Sequence, residues 1–363
     1  MIFVAAKSAL SQSLFLDGEY ILPNRAAGMP VYVADPDYAH AVLLNPARLA
    51  FVQNVYVGSD FEYFSRNISQ PLSPDSSSRF LANGILQTWD LSAAFPAGPL
   101  GVGVSYNNFQ LGGWRTTISA LGFGVQLPFG FSFGITGKYL TFERLVVVIS
   151  SVPFANYLTQ SRMNKFTFDV GVANRMVLAD NMFFRAIFSA GTSFSNVLSS
   201  STTMSGVYPL APSNPDVKIP QLFSVGVAYT FASNYQIANF ELFKLTVAAD
   251  YSHLLSNSNP LDSFIAQKDQ YRLGLETTAL GVLAVRIGYT LKTPKVTVVD
   301  QSNNLQVSQM GTGFSYGFSL RFPTKLVLPN LPIMSLELSY AKNPEWNSGI
   351  YHDLFGVVCE MQF

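Results

Sequence analysis

The sequence DLFGVVCEMQF, at residues 353–363, alternates between two kinds of side chain. The residues on one side of this extended stretch are apolar: Phe355, Val357, Cys359, Met361 and Phe363. Eleven residues at about 3.3 Å each, when tilted, cross a hydrocarbon core of about 30 Å. In lipid no water can satisfy a free strand edge, so a sheet that spans a bilayer must close on itself. The stretch therefore predicts the last strand of a transmembrane β-barrel, paired with the first strand.

The composition supports this prediction. Charged residues make up 12% of the 363 residues, about half of the roughly 25% that is usual in soluble domains. No run of about 18 consecutive apolar residues occurs, which disfavours a helical membrane protein. The 22 basic residues balance the 22 acidic ones, so the charge gives no indication of a nucleic-acid partner.

Alternation begins at Asn54 and predicts an all-β fold, a barrel of about fourteen antiparallel strands. The predicted strands are residues 54–64, 84–95, 100–109, 115–127, 131–143, 165–177, 183–195, 221–230, 243–251, 270–280, 282–289, 312–321, 333–341 and 353–363. Short turns follow most even-numbered strands, with longer links only near 231–242 and 322–332. Most odd-numbered strands are followed by long links at about 65–82, 144–164, 196–220, 252–269 and 290–311, and the exception is the tight link at 110–114. This asymmetry is typical of outer-membrane barrels, with both termini on the periplasmic, short-turn side.

We therefore expect two parts, an N-terminal segment at residues 1–53 and the barrel at residues 54–363. Residues 1–13 are too short for a complete secretion signal and lack a basic start. Because an outer-membrane barrel must be exported, we expect a fuller signal upstream.

Charges on the polar strand faces separate a barrel from a soluble sandwich. We predict that eight charged side chains point into the lumen: Asp60, Glu62, Asp169, Arg175, Lys244, Asp250, Arg272 and Glu276. They have both signs and are interspersed with Gly, Ala and Ser, as expected for a barrel filled by its own side chains. A soluble sandwich would carry more Lys and Glu on its outer faces.

No pattern of residues predicts catalysis. Asp60 and Glu62 could form an acid pair, but their interpretation as lumen charges is simpler. The three histidines are far apart in sequence, and Cys359 is the single cysteine, so we predict neither a metal site nor a disulfide. Gly122 and Gly124 lie in an apolar strand without a following helix, which favours close packing inside the barrel over nucleotide binding. We expect no enzyme activity and no cofactor.

The stretch before the first strand resembles a known family. Residues 24–29 (NRAAGM), 33–37 (VADPD) and 45–51 (NPARLAF) resemble the N-terminal signature of the PorV/PorQ proteins and, more distantly, of the FadL long-chain fatty-acid transporters. Pro46 favours an extended Asn45, whose side chain can bond nearby backbone. One interpretation is a turn that merely begins the first strand. The resemblance implies instead a hatch that plugs the lumen and contains Asn45, Pro46 and Ala47.

The resemblance leaves two functions open, and a paralogue with neither role is a third possibility. As a PorV-like component of a type IX secretion system, the barrel would bind the translocon and the C-terminal domains of cargo proteins through its outer loops. A charged lumen, which is a poor conduit for acyl chains, favours this hypothesis. As a FadL-like transporter, it would take up long-chain fatty acids or other hydrophobic compounds. Apolar residues at 145–149 and 152–157 could capture such a ligand, bind a partner, or extend the fifth strand.

Overall fold

The computed structural model describes residues 29, 31–34, 38–71, 79–111, 114–149, 156–205, 221–237, 240–256, 269–293, 311–323, 333–344 and 351–362. The first half of the chain contains helix α1 (Ala41–Leu44), a 3-10 helix (Pro46–Phe51) and strands β1 (Val55–Pro71), β2 (Arg79–Ala97), β3 (Leu100–Leu111), β4 (Trp114–Gln126), β5 (Phe131–Ile149) and β6 (Asn156–Asp180), with a 3-10 turn (Pro128–Gly130) between β4 and β5. The second half contains β7 (Phe184–Ser205), β8 (Gln221–Ser233), β9 (Gln236–Ile237), β10 (Phe240–Glu241), β11 (Phe243–Ser256), β12 (Asp269–Ala279), β13 (Leu283–Thr293), β14 (Gly311–Pro323), β15 (Ile333–Pro344) and β16 (Tyr351–Gln362).

Fourteen of these strands form one closed antiparallel barrel, which confirms the predicted fold. Each barrel strand pairs with the barrel strands before and after it, so that β8 pairs with β11. β1 pairs with β16 from Val55 opposite Met361 to Tyr63 opposite Asp353. The terminal strand therefore closes the sheet as its alternation predicts. The two short strands β9 and β10 form a separate two-stranded antiparallel sheet in the predicted link 231–242.

Several predicted strand ends are wrong, because the strands continue into the predicted long links. β1 runs on to Pro71, β5 continues to Ile149 and pairs there with the beginning of β6, and β7 reaches Ser205. Alternation between apolar and polar residues ends where a strand leaves the lipid, because neither face is then in an apolar environment. Backbone pairing between strands does not depend on that alternation and can continue. Leu145–Ile149 thus extend the fifth strand, while residues 152–155 lie outside the described residues.

The two faces of the barrel differ in polarity. On β12 the outward side chains of Tyr271, Leu273 and Leu275 are exposed, while Arg272 and Glu276 are at most 4% exposed in the interior. The same pattern of exposed apolar side chains recurs on β3, β4, β5, β13 and β14. An apolar exterior of this extent would be unstable in water and matches the lipid-facing band of an outer-membrane barrel. Among the described residues, no helix is long and apolar enough to cross a membrane.

An arginine on the outer face tests this orientation. Leu121, 47% exposed, lies on β4 five residues before the strand ends at Gln126, about half-way across the apolar band. We expect Leu121→Arg to lower the free energy of unfolding by about 2–4 kcal/mol, since a cation there must enter the middle of the bilayer. Leu127→Arg, in the same outward register at the short-turn rim and 45% exposed, is the matched control and should cost about 1 kcal/mol or less. Denaturant titration in lipid vesicles measures both, and equal costs would contradict an outward-facing Leu121.

Candidate functional site in the barrel interior

The described residues before β1 are buried against the inner face of the barrel. Of the N-terminal segment predicted at residues 1–53, the structure describes residues 29, 31–34 and 38–53, and most of their side chains are less than 10% exposed. The segment contacts wall residues on β1 to β8, β11 and β12. On β3, β4 and β5 these contacts lie within about five residues of the short turns. The segment thus occupies the half of the interior nearer the short-turn rim.

Glycines on the inner wall make room for this segment. A methyl group at Gly101 would overlap the carbonyl oxygen of Leu49, and one at Gly124 would lie 2.6 Å from the backbone nitrogen of Ala50. The other wall glycines that approach the segment in this way are Gly103, Gly122, Gly134, Gly171, Gly191 and Gly274. The glycines at 122 and 124 therefore serve close packing, as predicted, and here the packing partner is the chain's own N-terminal segment.

The Asn45-Pro46-Ala47 motif joins α1 to the 3-10 helix. Asn45 has extended backbone (φ −156°, ψ 98°), as the following proline predicts, and its Oδ1 accepts a hydrogen bond from the Ala47 amide at 3.2 Å. Its Nδ2 donates to the carbonyl oxygen of Val33 at 2.8 Å. All three motif residues are buried, and the Pro46–Ala47 peptide lies directly on Gly134. The asparagine thus ties two parts of the segment together.

Hydrogen bonds from wall side chains hold the segment at two further places. Asp250 of β11 accepts from the backbone amides of Tyr32 and Val33, at 2.6 and 2.9 Å. Thr136 of β5 donates to the carbonyl oxygen of Val42 at 2.8 Å. A carboxylate that accepts two amides is a strong anchor, because hydrogen bonds to charged groups contribute about 1.5–3 kcal/mol.

Two arginines of the barrel wall contact tyrosines of the segment. The Arg272 guanidinium of β12 lies 4.9 Å from the Tyr32 ring centroid, and it donates to Ser252 at 2.8 Å and to Gln270. Arg175 of β6 donates to the hydroxyl of Tyr38 at 3.3 Å. Two of the predicted lumen charges, Arg175 and Arg272, are therefore wall residues that contact the N-terminal segment.

Other predicted lumen charges form ion pairs with charges that the sequence did not single out. Asp169, 1% exposed, lies 2.7 Å from the Nζ of Lys138. Glu276 bonds the Nε of Arg286 at 2.6 Å, and Arg286 also contacts Glu337 at 2.8 Å. Each partner occupies the two-residue register of inward side chains on its own strand, which is the signal that could have found it.

The remaining predicted positions differ in how far the structure describes them. Asp60 is 7% exposed and lies close to His40 and Asp90. Lys244, on β11 opposite Ala232 of β8 and Thr278 of β12, is half-buried. Glu62 pairs in β1, but its side chain lies outside the described residues, so the proposed Asp60–Glu62 acid pair has no structural test.

Three apolar side chains also point inward, on consecutive strands. Phe109 of β3, Ile118 of β4 and Leu140 of β5 are all less than 10% exposed, and Ile118 lies opposite Leu140 in the sheet. Of the three, Ile118 and Leu140 lie four residues beyond the wall positions Gly122 and Thr136, which contact the segment. These three side chains, which we call the apolar row, therefore lie on the side of the N-terminal segment that faces away from the short turns.

Comparison with known proteins identifies the fold. No protein-family model matches the sequence, and no curated protein matches it either. Among solved structures, the ΔS2S3 mutant of the monoaromatic hydrocarbon channel TodX matches with a TM-score of 0.51 at 11% identity, covering 94% of this chain and 99% of that one. The ΔS2 mutant of TodX matches with a TM-score of 0.50 at 9% identity, covering 96% and 99%. At these identities the similarity shows the fold alone, a closed antiparallel barrel of fourteen strands like that of TodX.

Proposed function

We propose that the protein is an outer-membrane channel for small hydrophobic compounds, closed by its own N-terminal segment. In this proposal residues 1–53 form the hatch domain, residues 54–363 form the barrel, and the termini face the periplasm. The observation that carries the proposal is the close contact between the N-terminal segment and the glycines of the inner wall. An open diffusion pore needs a water-filled lumen, whereas here the segment occupies the half of the interior nearer the short-turn rim.

The apolar row of Phe109, Ile118 and Leu140 supports a hydrophobic ligand. Buried apolar side chains inside a polar barrel offer a ligand contacts that water cannot make, and ligand sites combine such surface with a few polar groups. Lumen charges do not oppose this, since Asp169 and Glu276 are paired with cations. TodX, whose fold the chain shares, is described as a monoaromatic hydrocarbon channel, and we extend that ligand class to this protein as part of the proposal.

A second candidate is a PorV-like component of a type IX secretion system, bound to a translocon and to the C-terminal domains of its cargo. It is supported by the N-terminal resemblance, of which residues 45–51 (NPARLAF) lie within the described segment and residues 24–28 do not. In this role the filled interior makes the barrel a scaffold, and the outer loops bind the partners.

Uptake of a hydrocarbon tests the first candidate. We expect that cells of a Gram-negative host lacking its own hydrocarbon channels accumulate radiolabelled toluene several times faster when they produce this protein. Ile118→Asp should abolish the gain, because a carboxylate in the apolar row disfavours an apolar ligand. Thr116→Ala, two residues away on the same inward face, should retain it. No gain over empty cells with either toluene or oleate would contradict the transport proposal.

A small substitution on the wall tests whether the N-terminal segment closes the channel. Gly134→Ala would push a methyl group into the Pro46–Ala47 peptide, so we expect displacement of the segment and a severalfold higher ion conductance in planar bilayers. Gly137→Ala is the matched control on the same strand, since its methyl group would meet only the rings of Phe166 and Phe168 at 3.4 Å or more. Equal conductance in the two variants would contradict a closing role.

Co-purification separates the two candidates. Under mild detergent, a secretion component should come out of its native membrane with other proteins in fixed ratio, identified by mass spectrometry. A monomer without protein partners is the result expected for the channel, and it would remove the support for the secretion hypothesis.

A further inference from the structure

His40, Asp60 and Asp90 bring together three metal-binding side chains where the N-terminal segment meets the wall. His40 precedes α1, Asp60 is on β1 and Asp90 is on β2. The three residues are 1%, 7% and 5% exposed. Within the described residues this is the one group of three His, Cys, Asp or Glu side chains with ligand atoms within 4.8 Å of one another. Three separate elements thus supply one buried nitrogen and two carboxylates.

We propose that this group binds a divalent transition-metal ion of the Zn²⁺ class, which would fasten the N-terminal segment to the barrel wall. Neither the transport function nor the secretion function requires this site, and metal binding there does not depend on which ligand or partner the barrel binds. An imidazole nitrogen with two carboxylate oxygens is a ligand set for Zn²⁺ and its neighbours in the first transition row, whereas Mg²⁺ and Ca²⁺ prefer oxygen ligands throughout.

The distances suit a small ion. His40 Nε2 lies 3.4 Å from Asp60 Oδ2 and 2.8 Å from Asp90 Oδ2. Ligands about 2.0–2.1 Å from a tetrahedral Zn²⁺ are roughly 3.3 Å apart. The His40–Asp60 separation already has this value, and the His40–Asp90 separation needs to widen by about half an ångström. Water can complete the coordination, as in zinc sites with three protein ligands.

The wall holds Asp90 in place through its other contacts. Asp90 Oδ1 accepts from the Asp60 amide at 2.7 Å, and Ser92 donates to Oδ2 at 2.9 Å. The hydroxyls of Ser92 and Ser105 lie 2.8 Å apart, and Asn107 donates to Ser105 at 2.7 Å. Hydrogen bonds that orient a ligand in this way are a regular part of metal sites.

The sheet itself departs from regular pairing here. The β1–β2 register includes Gly58 opposite Ser92 and Phe61 opposite Trp89, and Asp60 and Asp90 face each other between these pairs. The Asp60 amide bonds the Asp90 side chain, and the Ser59 hydroxyl bonds the Asp90 carbonyl at 2.7 Å. Like charges directly opposite on neighbouring strands destabilise a sheet, and a bound cation would turn that repulsion into attraction.

Calorimetry of the full chain in detergent, stripped of metal and titrated with Zn²⁺, tests the site. We expect one Zn²⁺ per molecule, at least about tenfold weaker binding in Ser92→Ala, and a larger loss in His40→Gln and Asp90→Asn. Mg²⁺ should not compete. X-ray absorption of the bound Zn²⁺ should show nitrogen and oxygen ligands without sulfur, which excludes Cys359 as its ligand.

His253 provides the matched control, because its Nδ1 lies 2.7 Å from Asp269 in a pair that is about one-third exposed. His253→Gln should bind Zn²⁺ as the parent does. Heat-dependent gel mobility verifies that each variant is folded. Zn²⁺ should slow hydrogen exchange at residues 38–49 in the parent but not in His40→Gln.

The proposal is overturned if the parent binds no Zn²⁺ at micromolar concentration, so that His40 is an ion-pair partner alone. It is also overturned if folded His40→Gln binds as tightly as the parent, or if His253→Gln loses as much affinity.

Discussion

The close approach of the N-terminal segment to the inner wall is the constraint on which the rest of the structure depends. At Gly101, Gly134 and Gly171 there is no room for even a methyl group, because backbone or side-chain atoms of residues 45–49 occupy that space. A barrel of fourteen strands has an interior too wide for its own side chains to fill when so many are Gly, Ala and Ser. The segment fills this volume. The small residues on the wall are therefore needed to accommodate the segment.

Polar groups then fix where the segment lies. Buried amides and carboxylates are costly unless they are paired, and the wall places Asp250 at the amides of residues 32 and 33 and Thr136 at the carbonyl of residue 42. Away from the segment, the interior charges pair with each other, as Lys138 does with Asp169. The described residues of the segment are therefore held in the interior by steric fit together with a few directional hydrogen bonds.

Period-two alternation was enough to predict the barrel and its closing strand pair. It also predicts an inward orientation for Asp169, Asp250, Arg272 and Glu276, and in the structure these side chains are at most 4% exposed. It failed at the strand ends near Pro71, Ile149 and Ser205, where both faces of a strand leave the lipid and the polarity signal stops before the pairing does. The pattern also could not join His40 to Asp60 and Asp90. Alternation assigns a strand residue to a face, whereas His40 is in an irregular segment whose position depends on contacts far away in the sequence.

Disulfide trapping measures the central claim, the position of the N-terminal segment inside the barrel, most directly. Ala39 Cβ lies 3.0 Å from a Cβ built on Gly58, and no other atom lies nearer to that position, so a small shift gives the 3.5–4.5 Å of a disulfide. In a Cys359→Ser background, the pair Ala39→Cys and Gly58→Cys should crosslink nearly completely in native membranes. Ala39→Cys with Ser59→Cys, on the exposed outer face of the same strand, should not. Equal crosslinking of the two pairs, or none in either, would contradict a segment that fills the barrel.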